Sequence, residues 1–337
     1  MGPVAWSGAV PACESDLMSA DEVRDEVPLT NLDQPLFDGA QATKRDLVDY
    51  LDTAREHILP VLRGRPLSVI RVLRGQRPFM QKNLPKYAPP WLPRVTLWAE
   101  SSQRDVAYAL CEDRRSLLWF ANQRAVEYHP TLVAAERWDR PTHLVLDIDP
   151  PAGGRFSTAV SSALLVGQAL ADVGMAGAVK TSGAKGLHVF APIQDTPVED
   201  VAAATRALAA RAERLDPEMA TTAFIREDRG GKVFLDATRA GGATVVAAYS
   251  PRVRPGTPVS FPVAWDDLDR VTPADFTVRN AAAMLAESDP WADLMPAPQP
   301  VAPVLVEEGR QIPVARVQAM HEGKRRARAR RATGHDT

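Results

Sequence analysis

The stretch His143–Pro151, "HLVLDIDPP", constrains this chain more than any other. It reads as a buried apolar strand, yet it ends in two aspartates and two prolines. Residues two apart in a strand share a face, so Asp147 and Asp149 project side by side. Like charges that close repel unless a cation lies between them. A strand running into a turn also accounts for Asp at this place, since Asp is common in turns. The residues that follow separate the two readings.

Ser157 to Val173 has helical spacing, with a serine as cap and Gly174 as a stop. "AGAVKTS" and "GLHVFAPI" read as strands joined through Gly183 and Gly186. A second helix begins in "TPVEDVAAATRALAARAERL", with Thr196 as cap, Pro197 at the first helical position and Glu199 three residues after the cap. "KVFLDAT" and "ATVVAAYS" supply two more strands, separated by Gly241 and Gly242. The predicted order is β-α-β-β-α-β plus an extra strand, an α+β, ferredoxin-like or RNA-recognition-motif-like (RRM-like) arrangement with an antiparallel sheet. In its usual strand order, 4-1-3-2, the first and fourth strands are neighbours. Asp236, in "VFLDAT", is thereby expected beside Asp147 and Asp149. Three carboxylates together need cations, and an oxygen-only ligand set suits Mg²⁺ or Mn²⁺. Two such ions about 3.5–4 Å apart activate a sugar hydroxyl and steady a leaving phosphate.

Composition excludes several other classes. The 337 residues are 45% hydrophobic, enough for one large domain or two smaller ones. No stretch approaches the roughly 20 apolar residues of a membrane span, and the first residues lack the basic start and apolar core of a signal peptide. Two cysteines, Cys13 and Cys111, make neither a disulfide framework nor a four-ligand zinc site, which favours a reducing cytoplasm. The net charge of -2 does not mark a nucleic-acid binder, but the charge is uneven. Glu14 to Glu26 is acidic, and "KRRARARR", Lys324 to Arg331, is a basic tail able to add salt-sensitive affinity for phosphates. Residues 1–27 read as a flexible extension and 28–295 as the main domain. "PAPQPVAP", Pro296 to Pro303, reads as a stiff linker opening a 296–337 tail region.

At this level the sequence resembles the archaeo-eukaryotic primase superfamily, and within it the polymerase domain of bacterial ligase D. "LVLDIDP", "TSGAKGLHVFAPI" and "KVFLDAT" with "GATVVAAYSPRVRPG" are similar to its three motif regions. The similarity continues upstream through "LTNLDQPLF", "VLRGRPLS", "FMQKNLPKYAPPWL" and "LLWFANQRAVEYHP", and runs from about Pro28 to Asp289. The resemblance implies an N-terminal module, 28–140, packed with an RRM-like catalytic module, 141–275. It also implies a stand-alone relative of the actinobacterial kind typified by mycobacterial primase-polymerase C, a monomer active at the bacterial nucleoid.

By that resemblance Asp147, Asp149 and Asp236 bind two divalent cations, Mn²⁺ or Mg²⁺. Ser182, Lys185 and His188 match the triphosphate and metal-side motif, and "SGAKG" is itself a turn that exposes backbone N–H groups beside a lysine. His129, Arg229, Arg252 and Arg254 are expected at the incoming nucleotide, the last two alternating on one face of an extended segment. Phe79 and Met80 are expected at the template base, where an aromatic can stack. Asn31 and Lys44 are expected at the 5′-phosphate of a gap, with Arg71, Lys82 and Lys86 as further DNA-facing cations. The implied partners are gapped or recessed-end DNA, NTPs or dNTPs, an ATP-dependent DNA ligase and repair factors, with ribonucleotides preferred.

The sequence also departs from the family pattern. Gln34 and Ile70 stand where basic residues are usual, and Ala237, Arg239 and Ala240 replace an aromatic, a Gln and an Asn after the third aspartate. Two other functions are compatible with parts of this pattern. A two-metal nuclease uses the same carboxylates, although Lys185, His188 and the arginines favour a triphosphate. A DNA-end-binding scaffold that recruits a ligase fits Gln34, Ala237 and Ala240, but has no need of three adjacent carboxylates.

Overall fold

The computed structural model describes residues 21–99, 104–240, 243–286 and 288–314. These fold as two compact units, and the chain passes between them more than once. One unit takes the residues up to Glu136, Thr244–Phe261 and Ala274–Asp289; the other takes Arg137–Ala243, Pro262–Pro273 and the residues from Pro290 on. A single boundary near residue 140 is therefore replaced by an interleaved division.

The first unit opens with a hairpin of β1 (Glu22–Arg24) and β2 (Val27–Leu29). Arg24 ties it to Glu22, Asp49 and Asp52, and Val27 and Leu29 are buried. Residues 21–27 thus belong to the folded unit, and the remainder of the expected extension lies outside the described residues. Helix α1 (Lys44–Thr53) begins at a capping box in which Thr43 and Asp46 satisfy each other's backbone N–H groups. It is followed by α2 (Arg55–Leu62), β3 (Leu67–Arg71), β4 (Phe79–Gln81), β5 (Arg94–Ala99), β6 (Arg104–Ala109), α3 (Arg114–Asn122) and β7 (Ala125–Pro130). The sheet runs β4-β3-β6-β5, with β7 also paired to β3. Leu47, Leu51, Ile58, Leu62, Phe120 and Tyr128 fill its core. The expected strand Ala243–Ser250 is not regular. It is buried from Val245 on, but it pairs through one isolated bridge just past β7, Thr131 to Thr244, and bonds from Val245 N to Pro130 O and Ala247 N to Tyr128 O.

The second unit holds β8 (His143–Asp149), α4 (Phe156–Ala171), β9 (Ala178–Thr181), β10 (Leu187–Pro192), α5 (Val198–Leu215), β11 (Ala220–Thr221), β12 (Val233–Asp236), β13 (Pro262–Val263) and α6 (Pro303–Gln311). Its sheet order is β11-β12-β8-β10-β9-β13, antiparallel except for the β11–β12 pair. Strand β12 is therefore the direct neighbour of β8. Leu144, Leu146 and Ile148 alternate with His143, Val145, Asp147 and Asp149 along β8, which puts the acids on the face opposite those three leucine and isoleucine side chains. Gly186 lets the β9–β10 turn reach β8, because a Cβ there would lie 2.1 Å from Ile148 O.

Helix starts differ from the sequence expectation. Arg155, not Ser157, is the N-cap of α4, without a side-chain bond, whereas Gly174 does stop the chain in the left-handed region. At α5 the N-cap is Pro197, and Thr196 Oγ1 donates to Gln194 O instead, so no capping box forms. The Pro-rich segment is a seam and not a spacer. Gln299 exchanges backbone bonds with Pro192 and Gln194, and its side chain both accepts from and donates to Ala176. Helix α6 then packs so closely on α5 that a Cβ at Gly309 would lie 1.8 Å from Ala203 O. The basic stretch Lys324–Arg331 lies outside the described residues. Among the described residues no helix is long and apolar enough to cross a membrane.

Candidate active site

The sheet of the second unit sets Asp147 directly opposite Asp236 on β12 and directly opposite His188 on β10, with Asp149 opposite Phe234. Asp236 is buried and the other two are half-buried. Arg239 Nη2 donates to Asp147 Oδ2 at 2.6 Å and lies 2.9 Å from Asp236 Oδ2. Asp236 Oδ1 accepts from Thr238 N at 2.9 Å and Thr238 Oγ1 at 2.6 Å. His188 Nε2 lies 3.2 Å from Asp147 Oδ1, and its Nδ1 lies 2.8 Å from Lys180 Nζ. A lysine ammonium only donates, so Nδ1 accepts and the ring proton sits on Nε2, facing Asp147. The Asp149 carboxylate has no hydrogen-bond or ion-pair partner among the described residues.

The electrostatics of the trio are unequal. Burial pushes the Asp147 carboxyl up, but His188 and Arg239 outweigh it and hold the group well below the usual carboxylate range. Burial, and then the charge of Asp147, push Asp149 above that range despite Lys185 and Arg239. Carboxylate oxygens are the donors a hard divalent cation takes, and one of these three carboxylates is short of positive charge. As the side chains stand, no group of three or more His, Cys, Asp or Glu among the described residues is arranged to hold a metal ion. Between Asp147 and Asp236 stands the guanidinium of Arg239.

The phosphate-loop candidates fall in the same unit. Ser182 Oγ accepts from Ala184 N and Gly186 N, each at 3.2 Å, and shapes the turn together with Gly183 at φ 64°. Lys185 Nζ donates to Pro150 O at 2.7 Å, just past the end of β8. Arg229 stacks on Phe234, 3.6 Å from the ring centroid, and donates to Ala223 O and Phe224 O.

The first unit carries a different cluster. Glu127, almost wholly buried, meets His129 Nε2 at 2.9 Å and Arg252 Nε at 3.1 Å, and accepts from Val253 N at 2.9 Å. Burial alone would push its carboxyl up; the bonds and charges of His129, Arg252 and Val253 bring it down to about 2. Arg252 and Arg254 do not share a face, because Arg254 N bonds to Arg252 O in a tight turn. Arg254 instead lines a cleft of about 820 Å³ with Gln34, Arg74, Arg77 and Arg124. Asn31 is exposed and accepts from Gln34 Nε2.

Two expected DNA-facing cations lie inside the fold. Lys44 is 3% exposed, and its Nζ donates to Thr30 O and Asn122 Oδ1, both at 2.6 Å. Burial, with Arg124 nearby, lowers its ammonium to about 8. Arg71 is also buried and donates to Gln123, Gln81 and Tyr87. Both are interior ties. Phe79 and Met80, on the edge strand β4, are exposed, as are Lys82, Lys86 and Tyr87; Ile70 is half-buried opposite Met80.

Sequence reasoning passed over Glu127, Lys180, Arg74 and Arg77, and read Arg239 only as a lost amide. For Glu127 a signal existed, since the E-Y-H alternation puts it on the face of His129. For Lys180 the only signal was a lysine inside an apolar strand.

The family model described as "LigD, primase-polymerase domain" matches residues 43–291. The multifunctional non-homologous end joining DNA repair protein LigD of Mycobacterium tuberculosis is 34% identical over 297 residues, covering 84% of this chain and 38% of that protein. The bifunctional non-homologous end joining protein LigD of Bacillus subtilis is 32% identical over 263 residues, covering 76% of this chain and 42% of that protein. The chain thus spans about two fifths of the length of these curated relatives. Among solved structures, the polymerase domain from Mycobacterium tuberculosis ligase D in complex with DNA matches with a TM-score of 0.71 and 32% identity, covering 80% of this chain and 99% of that one.

Proposed function

The chain belongs to the LigD primase-polymerase domain family, a family of template-dependent DNA nucleotidyltransferases, and from that premise we propose that it extends a primer strand across short gaps or at recessed ends during DNA repair. The observation that carries the reading is the register of Asp147 against Asp236, with Asp149 two residues further on the same face. In this reading the β-α-β-β-α-β sheet is the RRM-like catalytic module of the primases.

Asp147, Asp149 and Asp236 are the ligands of a divalent-cation pair. Bound there, Mn²⁺ or Mg²⁺ supplies activation of the primer 3′-hydroxyl and neutralisation of the departing pyrophosphate. The protein's own groups do the positioning. His188, its tautomer set by Lys180, orients the Asp147 carboxylate through Nε2–H. The Ser182–Gly186 turn and Lys185 offer N–H groups and a cation to the triphosphate. Arg229 adds a guanidinium, and His129 and Arg252 are assigned to the same nucleotide. Phe79 and Met80 present an exposed apolar edge for a template base. Ribonucleotides are the preferred substrates, and the cleft of Gln34, Arg74, Arg77 and Arg254 receives DNA phosphate, the 5′-phosphate of a gap included.

The test is primer extension on a gapped duplex, comparing ribo- with deoxyribonucleotides and Mn²⁺ with Mg²⁺, with pyrophosphate measured. Release of nucleotides from the DNA without pyrophosphate would replace the polymerase reading by a nuclease. The guanidinium of Arg239 between Asp147 and Asp236 favours one second reading, a DNA-end scaffold with a closed cation site. That reading requires gap binding with no extension at any Mn²⁺ concentration.

A further inference from the structure

Arg239 lies three residues beyond Asp236, and its single Nη2 nitrogen meets two inner carboxylate oxygens at once, Asp147 Oδ2 at 2.6 Å and Asp236 Oδ2 at 2.9 Å. One cationic centre shared by two carboxylates on adjacent strands is the arrangement of a bridging divalent ion. The other two oxygens are engaged elsewhere, Asp147 Oδ1 by His188 and Asp236 Oδ1 by Thr238. The inner pair is therefore the side of these two carboxylates that only Arg239 occupies.

Charge, more than shape, keeps the guanidinium there. Its Nε is buried without a hydrogen-bond partner, and the side chain remains 30% exposed. Arg71 shows the alternative, with Nε and both terminal nitrogens engaged by neutral groups. A single charge with an orphan donor and a path to solvent is displaceable by an ion of twice the charge.

We propose that Arg239 is an internal competitor for the divalent-cation position between Asp147 and Asp236, so that a cation enters only as the guanidinium leaves. The proposal rests on the assignment of these aspartates as metal ligands. Apparent cation affinity is then the intrinsic affinity scaled by the fraction of molecules in which Arg239 is withdrawn. The chain needs more Mn²⁺ for half-occupancy than the same site with a neutral amide at this position. Without metal, Arg239 instead compensates carboxylates that would repel across the β8–β12 pair.

The experiment measures Mn²⁺ binding by titration calorimetry, without DNA or nucleotide, for wild type, R239Q and the control D147N. R239Q is expected to bind about ten- to hundred-fold more tightly than wild type, the loss of one or two charge-assisted contacts from the competing state. Metal-free R239Q is expected to melt below wild type and to gain more in Tm from Mn²⁺. Should R239Q not fold, arginine-labelled wild type is titrated with Mg²⁺ by NMR, and one arginine side-chain signal is expected to move with the binding heat. Equal or weaker Mn²⁺ binding by R239Q overturns the proposal, as does Mg²⁺ binding that moves no arginine signal. If neither wild type nor R239Q binds Mn²⁺ and D147N changes nothing, the metal assignment itself has failed.

Discussion

Glu127 and Asp147 are both strand carboxylates that face a histidine, yet their surroundings differ in charge. Around Glu127 the carboxylate oxygens are taken by His129, Arg252 and the Val253 N–H. Asp147 shares its patch with Asp236 and Asp149, and the Asp149 carboxylate has no hydrogen-bond or ion-pair partner among the described residues. A cluster closed by its own cations fixes geometry. A cluster in which one guanidinium, Arg239, bridges two of three carboxylates is open to a cation of higher charge.

The comparison can be broken most sharply at the open cluster. Asp236→Asn is expected to lower the rate of primer extension by at least about a thousand-fold, since several kcal/mol of transition-state charge stabilisation is lost. Affinity for gapped DNA, measured by fluorescence anisotropy, should stay near wild type, because DNA affinity comes from lysine and arginine contacts. Extension at the wild-type rate would remove Asp236 from the chemistry.

The closed cluster should respond in stability instead. Glu127 titrates at about 2 in the folded protein, against 4.5 for an ordinary glutamate. A depressed carboxyl contributes stability that is fully present above about 4.5 and is lost as pH falls towards 2. The difference corresponds to about 3 kcal/mol at neutral pH. Urea unfolding of wild type and Glu127→Gln across pH 2–6 should show the wild-type advantage shrinking over that window. A pH-independent difference would mean that packing, not charge, holds the cluster. Arg252→Ala is expected to disturb stability along with nucleotide use, so Lys185→Ala is the cleaner probe of the triphosphate.

The same contrast divides the cations. Lys44 is internally satisfied, so Lys44→Met should strip Thr30 O of its lysine donor, leave Asn122 Oδ1 with only the Thr30 N–H, and cost about 1–3 kcal/mol of stability. It should leave the preference for 5′-phosphorylated over unphosphorylated gaps unchanged, and loss of that preference in a stable variant would return Lys44 to the phosphate. The smallest effect is expected in the arginine-lined cleft. Gln34→Lys should enlarge the 5′-phosphate preference by a few-fold, because a charge-assisted bond is about twice as strong as a neutral one. Arg254→Ala should reduce the salt dependence of DNA binding by about one phosphate contact. An unchanged slope would place the DNA elsewhere.

Local pattern alone made much of the second unit's sheet legible. Alternation along His143–Asp149, the stop at Gly174 and the glycine turn before Leu187 are properties of a few neighbouring residues, and the structure keeps them. The adjacency of the first and fourth strands followed from element order, and it carried Asp236 to Asp147. Local pattern misled where two nearby options competed, as at Pro197, which took the cap position expected of Thr196.

What the tertiary structure decided was the fate of each charge. Whether a lysine reaches solvent depends on residues far along the chain, and Asn122, 78 positions away, draws Lys44 inside. Lys180 meets His188 only through strand register, and Glu127 closes on Arg252 only because Pro251–Thr257 folds back beside β7. Arg239 reads as a lost amide in the sequence. In the fold, its reach from the end of β12 across to β8 makes it the counter-ion of two aspartates. The sequence by itself determined that three carboxylates would share one sheet, since strand periodicity and element order are short-range properties. Which cation stands among them depended on side-chain reach across paired strands, and that only the folded chain defines.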